Sequence, residues 1–126
     1  MKDVRPMTIF CDIDGTLVEH VKPSEAAKPD YEMSVLPGTI DKLHEWDRKG
    51  YRIILTTGRK ESLRRQTVIQ LEKAGIIYDD LMMGIGGGTR VLINDLKSNS
   101  SNPTAKSFCV NRNEGIGSLD LESVNE

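Results

Sequence analysis

Apolar and polar positions alternate along this chain in two different periods. Met7-Thr8-Ile9-Phe10-Cys11 is a short apolar run that stops at Asp12, the pattern of a strand buried on both faces that delivers a loop. From Leu17 to Leu36 no period is sustained, and Pro23, Pro29 and scattered charges interrupt it, which predicts a flap or irregular loop. Pro37-Gly38 then opens a helix in which Ile40, Leu43 and Trp46 share one face, while Asp41, Lys42, Glu45 and Arg48 face water and Gly50 closes it. Tyr51 to Thr56 reads as a second strand. Glu61 to Ala74 reads as a second amphipathic helix through Leu63, Thr67, Val68 and Leu71, stopped by Gly75.

The remaining pattern is terser. Ile76 to Met83 carries a short third strand, Val91-Leu92-Ile93 a fourth, and Ala105 to Val110 a fifth. Strands alternating with helices predict an α/β fold with a Rossmann-like, doubly wound parallel sheet. From Asn113 the chain is rich in Gly, Ser and acidic residues, so the expected organisation is a core over 1–112 and a loosely held C-terminal tail over 113–126.

A length of 126 residues, 37% of them hydrophobic and 29% charged, suits one domain with its own core. The net charge of −2 argues against a protein that holds nucleic acid or anionic membrane by bulk electrostatics. No apolar run approaches the roughly 18 residues of a membrane span, so a soluble, cytoplasmic protein is expected. Cys11 and Cys109 lie in apolar segments and read as small buried hydrophobes rather than a disulfide framework.

The chemistry concentrates in Asp12-Ile13-Asp14-Gly15-Thr16, directly after the first strand. In an open parallel sheet, functional groups gather outside the carboxyl ends of the strands, and Asp12, Thr57 and Asp95 each follow a predicted strand at that end. An EF-type calcium loop would need Gly at its sixth position and Glu at its twelfth, where Leu17 and Pro23 stand. Turn caps would explain Asp12, Asp14, Thr57 and Asp95 one at a time, with Gly15 supplying a positive φ, but not their order. His20 and His44 have no zinc-ligand spacing and read as surface residues, and Trp46 fits the core face of its helix. The run Gly84 to Arg90 lacks the lysine of a P-loop and reads as a flexible loop.

A strand followed by D-x-D-G-T resembles the nucleophile motif of the haloacid dehalogenase (HAD) superfamily. Ile54-Leu55-Thr56-Thr57-Gly58-Arg59 is similar to its second motif and Val91-Leu92-Ile93-Asn94-Asp95 to its acidic fourth, so the resemblance spans roughly residues 6 to 111. It implies strand order 3-2-1-4-5. Cys11 and Cys109 would then lie two strand spacings apart, about 9.6 Å, beyond the reach of about 7 Å between bridged Cα atoms. It also implies a phosphatase that uses Mg²⁺, with Asp12 as the nucleophile forming an aspartyl-phosphate and Asp14 as the acid and base. Asp12, Asp95 and the Asp14 carbonyl would be metal ligands, with Asn94 in place of the second acid of many relatives. Thr57, backbone N–H groups around Ile13, Gly15 and Gly58, and Arg59 would receive phosphate, with Arg59 divided between that role and packing. The third-motif cation has no clear match; Arg90 is the first choice and Lys97 the second.

The interval between Thr16 and Thr57 leaves no room for a cap domain, so selectivity would come from the flap, a neighbouring subunit of a homo-oligomer, or a large substrate. The leading expectation is a phosphorylated small molecule such as a sugar phosphate. A polynucleotide end is the rival, from the cluster Arg59, Lys60, Arg64 and Arg65, although a solvated helix face explains that cluster more simply. A third reading keeps fold and metal but loses turnover.

Overall fold

The computed structural model describes residues 5–98 and 103–122. Three strands, β1 (Thr8–Asp12), β2 (Arg52–Thr56) and β3 (Asp80–Met82), pair in parallel in the order β1-β2-β3. Thr8 stands opposite Arg52 and Asp12 opposite Thr56, so the ends of β1 and β2 are level, and Thr56 lies opposite Met82. A short helix α1 (Pro23–Ala26) and a longer α2 (Thr39–Arg48) connect β1 to β2. A 3-10 turn (Glu61–Leu63) and α3 (Arg64–Ala74) connect β2 to β3. Gly75, at φ +77°, ends α3 in the left-handed conformation that glycine adopts without strain.

Strand alternation decides where the core sits. Cys11, Ile13, Ile53, Leu55, Leu81 and Met83 are buried in one cluster with Leu43 and Trp46 of α2 and Leu71 of α3. Right-handed crossovers stepping the same way along a sheet leave both helices on one face, and side chains of α2 and α3 do share one buried cluster. The other face is open: Phe10 is 54% exposed, and Met82 is exposed with it. The first strand is therefore buried on one face rather than two, and the described residues form a singly covered sheet rather than a doubly wound one.

The predicted fourth and fifth strands are not formed. Val91, Leu92 and Ile93 are 77, 61 and 88% exposed, and neither they nor Ala105 to Val110 join a ladder. An apolar triplet becomes a strand only when its backbone N–H and C=O groups meet a partner. Here Gly84 and Ile85 bond instead to the carbonyls of Arg59 and Thr57, at 2.7 and 3.1 Å. The chain then leaves through Gly86, Gly87 and Gly88 without reaching the free edge of β1. The observed order is 3-2-1, without the 4-5 extension.

Within α3, Thr67, Gln70 and Leu71 are buried while Val68 is exposed, so the inward face is more polar than its pattern predicts. The flap is better ordered than its pattern predicts. Val18 bridges to Asp14 and to Val35, Leu36 N–H donates to the Leu17 carbonyl at 3.0 Å, and Leu17, Val18, Met33 and Leu36 are buried.

The expectation of a loose tail from Asn113 is corrected over the described part, 113–122. Ile116 is 1% exposed and, with Leu121, belongs to the core. Glu122 accepts from the Tyr51 hydroxyl at 2.5 Å and from Lys49 Nζ at 2.9 Å. A Cβ on Gly115 or Gly38 would collide with Pro37 and Gly117 respectively, so two glycine-bearing segments meet closely there. Both cysteines are free; Cys11 is buried as expected, but Cys109 is exposed. His20 and His44 are exposed. No helix among the described residues is long and apolar enough to cross a membrane.

Candidate active site

Asp12 ends β1 and Thr56 ends β2, and their level register puts both loops that follow at one edge of the sheet. The Asp12 loop turns back on itself: Leu17 and Val18 N–H donate to the Ile13 carbonyl at 2.9 and 3.2 Å, and Gly15 takes φ +90°. Gly15 N–H donates to the Val18 carbonyl at 2.7 Å, so this group closes the loop and is not free for phosphate. The isoleucine side chain of Ile13 is fully buried, anchoring the loop between its two aspartates.

Each aspartate has its own cation. Arg90 Nη1 donates to Asp12 Oδ1 at 3.0 Å and to Thr56 Oγ1 at 3.3 Å, and the Thr16 hydroxyl donates to Asp12 Oδ2 at 3.2 Å. The glycine loop thus folds back far enough to put Arg90, rather than Lys97, against the nucleophile candidate. Arg59 makes a two-pronged pair with Asp14, Nε to Oδ2 at 3.1 Å and Nη2 to Oδ1 at 2.9 Å. Its remaining Nη1 donates to Gln70 Oε1 at 2.6 Å and to the Thr67 hydroxyl at 3.4 Å. Gln70 in turn donates to the Ala26 carbonyl at 3.2 Å, and Gln66 donates to the carbonyls of Ala27 and Lys28 at 2.7 and 2.9 Å. The flap, α3, Arg59 and Asp14 are therefore one connected network.

Arg59 turns toward Asp14 and α3, the packing side of the two roles the sequence left open. Thr57 is 1% exposed, and its hydroxyl accepts from Arg59 N–H at 3.1 Å, capping the turn that aims Arg59 at Asp14. Gly58 is needed for space: a Cβ there would lie 3.0 Å from the Ile85 carbonyl oxygen. Cys11 is no rival nucleophile, because burial first and the Asp12 charge second push its thiol up to about 12. In the flap, the buried Tyr31 hydroxyl has no hydrogen-bond partner among the described residues. Burial, then the Asp14 charge, raises its pKa.

The sequence places Asp12, Asp14, Asp95 and Asn94 around a magnesium ion; the structure does not bring them together. Among the described residues no group of three acidic, histidine or cysteine side chains could hold a metal ion. Both oxygens of Asp12 and both of Asp14 are already engaged. Asn94 Nδ2 donates to the Thr104 carbonyl at 3.2 Å, and the Asp95 carbonyl accepts from the Thr104 hydroxyl, in an exposed segment. As arranged, these residues do not fit a magnesium ion.

Sequence reasoning missed Thr16, Thr56, Thr67 and Gln70. Thr16 carries a signal, since a hydroxyl four residues after Asp12 on a tight loop can reach back to it; Gln70 carries none, being one of several polar residues on a helix.

The model of the PITM 1-3 LNS2 domain family matches residues 9–95. Among solved structures, a chain of a Pnkp1/Rnl/Hen1 RNA repair complex is 30% identical with TM-score 0.54, over 68% of this chain and 28% of that one. A chain of a second Pnkp1/Rnl/Hen1 complex is 27% identical with TM-score 0.54, over 68% and 30%. This chain therefore spans less than a third of the length of either. A structural-genomics target from Vibrio cholerae, 19% identical with TM-score 0.51 over 70% and 79%, shares the fold. Among curated protein sequences there is no match. With the family match running from β1 through Asp95, the chain belongs to the LNS2 domain family of PITM 1-3, and through it to the HAD superfamily and its phosphatase fold.

Proposed function

We propose that the chain hydrolyses phosphate monoesters through an aspartyl-phosphate on Asp12, with a small phosphorylated metabolite of the sugar-phosphate kind as substrate. The observation that carries this reading is the pairing of the two aspartates with separate cations, Arg90 on Asp12 and Arg59 on Asp14. A carboxylate that must attack a phosphate dianion needs its own charge and that of the incoming group offset, and Arg90 stands where it offsets both.

In the first step an Asp12 oxygen bonds to phosphorus while the ester P–O bond breaks, and Asp14, with one oxygen kept by Arg59 and a proton on the other, freed from the fork, gives that proton to the leaving oxygen. In the second, water bonds to phosphorus, Asp14 takes the water's proton, and the bond from phosphorus to Asp12 breaks to release inorganic phosphate. No step is routed through a metal, because the described carboxylates do not converge on one. Thr16 holds the Asp12 oxygen that Arg90 does not, and Arg59 fixes the direction of Asp14. Release of phosphate from an aryl phosphate, abolished by Asp12→Asn, tests the reading; release at an undiminished rate by that variant would end it.

A polynucleotide end is the second reading, favoured by the likeness to a chain of an RNA repair complex. Against it, two of the four basic residues that suggested it are occupied: Arg59 by Asp14, and Arg64 by Glu61 at 2.9 Å. Relative rates on a sugar phosphate and on a 3′-phosphorylated oligonucleotide separate the two.

A further inference from the structure

From Asn113 the chain read as a tail, yet the segment 111–117 is built against the Asp12 loop. Asn113 N–H donates to the Gly15 carbonyl at 2.8 Å, and Asn113 Oδ1 accepts from His20 N–H at 2.8 Å. Asn113 does this at φ +66°, the one positive φ of a non-glycine residue among those described. Asparagine is among the few side chains that take up this conformation readily, so the turn suits the residue that makes both bonds. The far end of the segment is pinned by Ile116 in the core and by the close approach of Gly115 and Gly117 to Pro37 and Gly38.

What this frame holds in place is Arg112. Its Cγ lies 3.3 Å and its Nε 3.7 Å from where a Cβ of Gly15 would be, so the stem lies along the glycine between Asp14 and Thr16. Glu114, the acid close to it in sequence, is taken up by Asn111 at 3.3 Å. Arg112 is exposed and has no hydrogen-bond or ion-pair partner among the described residues. A guanidinium whose stem is already seated loses little freedom on meeting an oxyanion, and its fork suits a carboxylate or a phosphate.

We propose that Arg112 is a specificity residue that receives a second anionic group of the substrate, beyond the phosphoryl group that Asp12 takes. The proposal rests on the phosphatase reading of the same loop and narrows its substrates to phosphomonoesters bearing a further phosphate or carboxylate. Gly15 is the enabling position: a side chain there would strain the loop at φ +90° and displace the Arg112 stem.

Binding without turnover tests it. Methylphosphonate, methylenediphosphonate and phosphonoacetate are titrated calorimetrically into the full chain, as wild type, Arg112→Ala and Arg112→Lys, with thermal unfolding as the control for folding. The wild type should bind one or both of the doubly functional ligands about ten- to a hundredfold more tightly than methylphosphonate; which of the two it prefers identifies the group as phosphate or carboxylate. Arg112→Ala should lose most of that preference at nearly unchanged methylphosphonate affinity, and Arg112→Lys should keep part of it. No preference in the wild type, a preference that survives Arg112→Ala, or equal weakening of all three ligands would each overturn the assignment. A chain that shows the expected preference but releases no phosphate from any ester would instead sink the phosphatase reading.

Discussion

Arg59 grips Asp14 through two nearly parallel hydrogen bonds of 3.1 and 2.9 Å, and the pair is largely shielded, with side-chain exposures of 8 and 22%. This geometry restricts the rotation of the carboxylate to which the proposed mechanism gives acid and base work. It also turns Arg59 inward, toward Asp14 and Gln70.

Replacing Arg59 should therefore damage both stability and chemistry. Arg59→Met leaves Asp14 and Gln70 without their partner, and breaking such a shielded pair costs roughly 3–5 kcal/mol. Urea unfolding should show a loss of that order and turnover of an aryl phosphate should fall with it. A fully stable variant that only raises KM would return Arg59 to the phosphate.

Arg90 and Lys97 should separate in assay. Arg90→Ala removes the contact to Asp12 and should lower kcat about ten- to a hundredfold in a folded protein, the range of a lost charge-assisted donor at a developing charge. Lys97→Ala should leave kcat within about twofold on the same scale. The reverse ranking would mean that the glycine loop does not hold Arg90 against Asp12 during turnover.

Much of this was legible in the residues, and the failures have physical causes. The strand ending at Asp12, the helix of Leu43 and Trp46, and the strand ending at Thr56 are local: apolar period and terminating Gly or Pro agree within each segment. The triplet Val91-Leu92-Ile93 has the same local signature, but a strand is a pairwise object, and where its ladder lies is not written in three residues. The segment after Asn113 misleads in the opposite sense. Its glycines and serines suggest looseness, whereas Gly115 has no room for a side chain against Pro37, and Ile116 carries the anchor. Arg59 could be placed near the site from its motif; only the positions of Asp14 and Gln70 show which way it faces.

The exposed triplet gives a direct check on the sheet. Amides of Val91, Leu92 and Ile93 should exchange with solvent near the rate of unprotected amides in metal-free protein, while those of Ile53 and Leu55 in β2 should be strongly protected. Strong protection at 91–93 would restore a fourth strand on β1.

Docking of the C-terminal segment should show in stability. Ile116→Ala should cost about 2–5 kcal/mol, as large-to-small changes in a core do; a loose tail would give no change.

The same segment predicts a pH dependence. Hydrogen bonds from Tyr51, then Lys49, hold Glu122 down at about 2 from an ordinary value of 4.5. A depressed folded-state pKa contributes stability that is fully present above the unfolded value and is lost as pH falls through the folded one. The melting-temperature gap between wild type and Glu122→Gln should thus be steady above about pH 5 and close between there and about pH 2. A gap that does not change across that window would break the link.

The central claim is that Asp12 takes the phosphoryl group, and trapping that species tests it most directly. The protein is quenched in acid during incubation with an aryl phosphate, reduced with borohydride, digested and read by mass spectrometry. An acyl-phosphate at Asp12 appears after reduction as homoserine at that position, and the account predicts it there, absent without substrate and absent in Asp12→Asn. Homoserine at Asp14 or elsewhere, or none at all while phosphate is being released, would contradict it.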